Sequence, residues 1–141
     1  MDLSFTIPGK LSGKARIRTQ GRHFFMDDKT RSAEGVIRHY ASEAMKGKEL
    51  FEGPVLLNVT MWQLIPQSWS NKKKLAASYA TGKPDLDNIA KSLADAMNGI
   101  VFRDDSQIAS LHITRHYGTV EKAVVTVQQL SGWHLRKKVA A

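Results

Sequence analysis

The stretch Lys83-Pro84-Asp85-Leu86-Asp87-Asn88 and its continuation to Asp104-Asp105 concentrates carboxylates in a basic chain. Five of the 13 acidic residues (Asp85, Asp87, Asp95, Asp104 and Asp105) fall between positions 85 and 105, where even spacing would place about two. Like carboxylates repel, and grouping them becomes favourable when a cation sits between them. The whole chain carries 21 Lys and Arg and a net charge of +8. A divalent metal that faces a phosphate accounts for both signs at once. Asp85 and Asp87, joined by Asp104 or Asp105 from a different element, would supply three carboxylates. That set suits Mg²⁺, a hard ion that takes oxygen ligands and keeps several waters, with Mn²⁺ as a substitute. A metal held this way orients a water for attack on a phosphodiester and neutralises charge on phosphorus and on the leaving oxygen. Lys91, one helical turn after Asp87, would direct a cation at the same phosphate. Asn88 would position Asp87 or a water.

A plainer reading competes. Asp85 could serve only as a helix N-cap, Asp87 and Lys91 only as an i,i+4 surface pair, and Asp104-Asp105 only as a turn.

The elements that must position these residues follow from periodicity. Residues 2–7 alternate, with Leu3, Phe5 and Ile7 on one side, as in a half-buried strand closed by Pro8-Gly9. Between Lys10 and Arg22 five basic residues (Lys10, Lys14, Arg16, Arg18 and Arg22) stand with no acid, and Gln20-Gly21 could turn the chain back toward His23-Phe24-Phe25. A basic arm of this kind is suited to phosphate contacts. A helix of about 17 residues follows, with Thr30 or Ser32 as N-cap and a stripe of Val36, Ile37, Tyr40, Ala41, Ala44 and Met45. Val55–Leu64 reads as an inner strand, partly apolar on both faces. The stretch 67–82 lacks an apolar period, and only a few residues from Lys72 to Ala80 could be helical. Its Trp69, Tyr79 and Lys72-Lys73-Lys74, with Lys83 beyond, mix rings and cations as nucleic-acid surfaces do. Trp69 could equally pack on the core edge. A second helix over 85–98 carries Leu86, Ile89, Ala90, Leu93, Ala96 and Met97 on one face, with Asp87, Lys91 and Asp95 on another. Strands at about 107–117 and 121–130 close the chain, joined briefly enough to imply an antiparallel hairpin. His112 and His116 share a strand face, a weak metal signal. The expected fold is α/β (α+β): one domain over 1–141, a mixed four- to five-stranded sheet, two amphipathic helices on one face, and a basic, flexible tail at 131–141.

Composition narrows the classes further. The chain has no cysteine, which excludes disulfides and thiolate metal sites. No run of residues is apolar enough to span a membrane, and the start lacks the pattern of a signal peptide. A cytoplasmic protein with a polyanionic partner is expected.

Taken together, Lys83-Pro84-Asp85-Leu86-Asp87-Asn88, Lys91, Asp95-Ala96 and Asp104-Asp105-Ser106-Gln107 resemble the signature of the RusA family of Holliday-junction resolvases, small bacterial and phage endodeoxyribonucleases. The resemblance implies a homodimer that binds four-way DNA and cuts two opposed strands with Mg²⁺. It places the metal ligands at Asp85, Asp87 and Asp105, with Asp104 a further candidate, and the essential lysine at Lys91. Under that reading Lys14, Arg16, Arg18, Arg22, Lys72, Lys73, Lys74 and Lys83 are DNA contacts. Two rivals remain open at this point: a nuclease for flaps or forks, and a DNA-binding protein without catalysis.

Overall fold

A computed structural model of the chain describes residues 2–11, 18–20, 23–25 and 28–130. Strand β1 (Asp2–Pro8) buries Leu3 and Ile7 and turns Ser4 and Thr6 outward, as its alternation requires. Two short strands, β2 (Arg18–Gln20) and β3 (His23–Phe25), pair antiparallel, so the basic segment does fold back on itself. Helix α1 (Asp28–Met45) begins two residues before the expected Thr30 cap. It buries Ile37, Ala41 and Met45, while Val36 is 45% exposed and stands off the buried stripe. Strand β4 (Val55–Leu64) leads to a five-residue helix, α2 (Asn71–Leu75), capped by the Ser70 hydroxyl, which accepts the Lys73 amide. Helix α3 (Leu86–Met97) and a single 3-10 turn (Asp105–Gln107) precede strands β5 (Ile108–Gly118) and β6 (Lys122–Gln129).

The sheet is four-stranded and mixed, in the order β1-β6-β4-β5. β4 is an inner strand, parallel to β5 and antiparallel to β6. β5 and β6 therefore run antiparallel through a short connection, as expected, but β4 lies between them and takes the hydrogen bonds of both. Alternate residues of the inner strands point to one face: Val55, Leu57, Val59 and Met61 from β4, and Ala123, Val125 and Val127 from β6. These pack with Ile37, Ala41 and Met45 of α1 and with Ile89, Leu93, Ala96 and Met97 of α3 in one core. Burying each of the larger side chains is worth about 1.5–3 kcal/mol, which is why two amphipathic helices settle on a single face. The opposite face presents Asn58, Thr60, Trp62, His112, Thr114 and His116, all at least partly accessible. Among the described residues, no helix is long and apolar enough to cross a membrane.

Candidate active site at the head of helix α3

Asp85 and Asp87 stand at the first turn of α3. Asp85 occupies the N-cap position with extended backbone (φ −65°, ψ 147°), yet its side chain makes no capping hydrogen bond. Its carboxylate instead meets the Lys83 ammonium, with Nζ 3.1 Å from one oxygen and 3.2 Å from the other. The capping explanation thus holds for its backbone and fails for its carboxylate. Asp87 and Lys91 are exposed, and among the described residues no ion pair joins them. Asn88 is half-buried beside them. The positive end of the helix dipole favours both aspartates.

What holds this end of α3 in place is Arg115, a residue that belongs to no motif in the sequence. Its guanidinium is buried, with 6% of the residue exposed. It donates to three carbonyl oxygens of the incoming chain: Pro84 at 2.6 Å, Gly82 at 3.0 Å and Ala80 at 3.4 Å. Backbone bonds reinforce the attachment, from Ala80 N–H to the Arg115 carbonyl and from Tyr117 N–H to the Ser78 carbonyl. A planar fork with five donors suits a row of carbonyls better than a lysine would. The only trace of it in the sequence is an arginine closing the face Ala109, Leu111, Ile113, opposite a Gly82/Pro84 turn.

Asp104 and Asp105 sit at the far end of α3. There Gln107 accepts the amides of Arg103 and Asp104 through Oε1 and donates through Nε2 to the carbonyls of Phe51 and Gly53, both at 2.9 Å. Asp104 is occupied in its own turn: its carboxylate accepts the Ser106 hydroxyl. That hydrogen bond holds the Asp104 carboxyl below its ordinary pKa. Asp105, half-buried at the start of the 3-10 turn, is the better placed of the two to serve elsewhere.

The expectation that three carboxylates converge within one chain is not met. The turn before Asp85 is tied to Arg115, whereas Asp105 lies just ahead of Ile108, seven residues earlier on β5. At ~3.3 Å per residue that strand segment is about 23 Å long, and the 12 residues of α3 span about 18 Å at 1.5 Å each. Ligands of one Mg²⁺ all lie about 2.1 Å from it. Accordingly, among the described residues, no three acidic or histidine side chains of this chain are gathered to hold a metal. His112 and His116 belong to no such group, and His116 is engaged with aromatic rings.

The basic residues divide. Lys72, Lys73 and Lys83 are exposed and Lys74 half-exposed, on α2 and on the turn before Asp85. Lys73 holds its ammonium 4.1 Å above the Trp69 ring, and Trp69 meets Tyr117 edge-on at 5.0 Å. Trp69 is therefore packed against its neighbours and is not an open stacking ring. Lys14, Arg16 and Arg22 lie outside the described residues, as does the segment 131–141, and Arg18 is described by its backbone alone.

Residues 8–128 match the family model for endodeoxyribonuclease RusA, which covers both aspartate pairs, Lys91 and Arg115. The chain is 27% identical over 139 residues to the uncharacterized protein YqaN of Bacillus subtilis (strain 168), covering 92% of this chain and 97% of that one. It is 42% identical over 69 residues to the crossover junction endodeoxyribonuclease rusA of Lactococcus phage r1t, across 47% of this chain and 49% of the phage protein. With the family model spanning most of its length, the chain belongs to the RusA endodeoxyribonuclease family, an enzyme family of Holliday-junction resolvases.

Proposed function

We propose that the protein is a homodimeric, Mg²⁺-dependent endodeoxyribonuclease that resolves four-way DNA junctions by paired incision, in recombination and repair in the cytoplasm of a bacterial cell. One observation carries this reading. The turn that carries Asp85 and Asp87 is tied to Arg115 near one end of β5, whereas Asp105 precedes the other end, so a site that used all three would draw on two copies of the chain. A two-fold dimer has two such sites, which matches a substrate that must be cut twice.

The outer edge of β5 supports the same reading. Residues 78–80 cover it from Arg115 to Tyr117. From Ile108 to Thr114 it pairs, among the described residues, only with β4 on its inner side, and Leu111 there is 48% exposed. An unpaired edge is a template for another strand. Antiparallel pairing of two β5 edges about a point near Leu111 would bring the partner's Asp105 toward Arg115 and the turn that carries Asp85.

The donor set fits Mg²⁺. Asp85 and Asp87 offer hard oxygen donors at a positive helix end, and the Asp85 carboxylate already accommodates the ammonium of Lys83. Asp85, Asp87 and the partner's Asp105 would hold the ion, which when bound supplies an activated water and charge neutralisation at the phosphate. Lys91 contributes a fixed positive charge toward the phosphate oxygens as negative charge builds on them. Lys83, released from Asp85, becomes a phosphate contact, and Asn88 orients Asp87. Lys72, Lys73 and Lys74 extend the cationic surface along the DNA.

Incubation with a synthetic four-way junction, with and without Mg²⁺, tests the reading. Symmetrically paired nicks that require the metal are expected. Binding without nicking under any metal or pH would make the chain a DNA-binding protein only, and faster cutting of flaps or forks would change the substrate.

A further inference from the structure

Beside the acidic turn, three rings form a ladder that the chemistry above does not use. Tyr79 lies 5.0 Å from His116, with the ring planes 34° apart, and His116 lies 6.2 Å from Trp62 at 30°. The Lys122 ammonium sits 5.2 Å from the Trp62 ring centre, at the far end of the ladder. The near end is open, since Tyr79 is 70% exposed. Such a ring on a mobile loop would be ordinary, but this one is fixed. A β-bridge joins Tyr79 to His116, and hydrogen bonds on both sides clamp residues 78–80 to β5. The same clamp continues through Arg115 to the carbonyl of Pro84, so ladder and carboxylates ride on one rigid unit. Trp62, Lys122, Pro84 and Arg115 also line one cleft.

An exposed aromatic ring held at a tilt of 34° against a second ring is well suited to receive a further flat ring. The cations around it (Lys72, Lys73, Lys83 and Lys122, all exposed) select a ligand that carries negative charge along with its flat ring. Unpaired nucleotides join those two features, and base–aromatic stacking on a basic surface is how single strands are held without regard to sequence. We propose that Tyr79, backed by His116 and Trp62, is a stacking platform for an unpaired base of the strand to be cut. The platform would hold a base displaced at the branch point and so place the neighbouring phosphate over Asp85 and Asp87. This rests on the branched-DNA reading above and adds to it a binding site for a single nucleobase.

The test uses the full chain and a four-way junction carrying 2-aminopurine next to the branch point, in EDTA so that nothing is cut. Wild type and Tyr79→Phe are expected to quench the probe on binding. Tyr79→Ala is expected to lose the quench and to bind about 5- to 150-fold more weakly, the range expected for one stacked base. His116→Ala, which removes the backing ring, should give a partial loss of quench. Thermal denaturation of each variant checks that the fold is intact, which the exposure of Tyr79 favours. If wild type binds and cuts the junction while Tyr79→Ala quenches and binds like wild type, the platform is refuted and the junction reading stands. If wild type fails to bind branched DNA at all, both fall together.

Discussion

The Arg115 guanidinium lies 2.6 Å from the carbonyl oxygen of Pro84, so strand β5 grips the residue that immediately precedes Asp85. A buried cation satisfied by three backbone carbonyls has no carboxylate among those partners; its role is to hold the turn. Replacing it by Met strands those carbonyls and should cost roughly 3 kcal/mol of stability. Arg115→Lys keeps the charge but cannot span the three acceptors. We expect it to lower the melting temperature and to reduce cutting much more than junction binding. Paired melting, binding and nicking assays on that variant check this, and unchanged nicking would detach the turn from the chemistry.

Asp87→Asn should abolish cutting and leave junction binding intact, because it replaces the carboxylate proposed to bind the metal by a neutral amide and spares the basic surface. Lys91→Ala should slow single-turnover cutting by a factor of at least about 100, equivalent to about 2.7 kcal/mol of lost transition-state stabilisation, while Kd changes little. Equal losses in rate and affinity would reduce Lys91 to a phosphate-binding residue.

Salt dependence reports on α2. Lys72, Lys73 and Lys74 form most of that short helix. Changing all three to Ala should weaken DNA binding and shallow the slope of log K against log salt by about 0.9 for every phosphate that is no longer neutralised. An unaltered slope would place α2 off the DNA.

Asp104 gives a pH signature. Its folded pKa is depressed, chiefly by the Ser106 hydroxyl. A depressed carboxyl stabilises the fold above its unfolded pKa, and that contribution disappears as pH falls through the folded value. Ser106→Ala should raise the Asp104 pKa toward the ordinary aspartate range, as read by carbon NMR. The stability difference between the two proteins should be present at neutral pH and vanish in acid. A difference that persisted below the Asp104 pKa would point to another origin.

Periodicity makes much of this molecule legible. The alternation of Leu3, Phe5 and Ile7, the two-faced run Val55–Leu64 and the stripe Ile89, Leu93, Ala96 and Met97 each locate a strand or helix, because burial repeats with the geometry of the element. Val36 reads as part of the buried face and is not, because neighbouring apolar residues blur the edge of a helical stripe. The strand order is not legible: a short connection between β5 and β6 says they run antiparallel, not that β4 intervenes. The acid motif is conspicuous by its spacing, but spacing along the chain says nothing about how far apart the fold sets its carboxylates. Arg115 and the Tyr79–His116–Trp62 ladder are hidden for a related reason. Their partners lie more than 30 positions away or across the sheet, and no local pattern encodes such proximity.

Mixing two inactive variants tests most directly whether each site is shared between two chains. Asp87→Asn and Asp105→Asn homodimers should each be unable to cut. When unfolded together and refolded, a mixed dimer would contain one site with both defects and one with all three aspartates intact. If the site is shared, the mixture nicks one strand of a four-way junction, with activity that follows the fraction of mixed dimers. A mixture as inactive as its parents, despite demonstrated exchange of chains, would contradict a shared site.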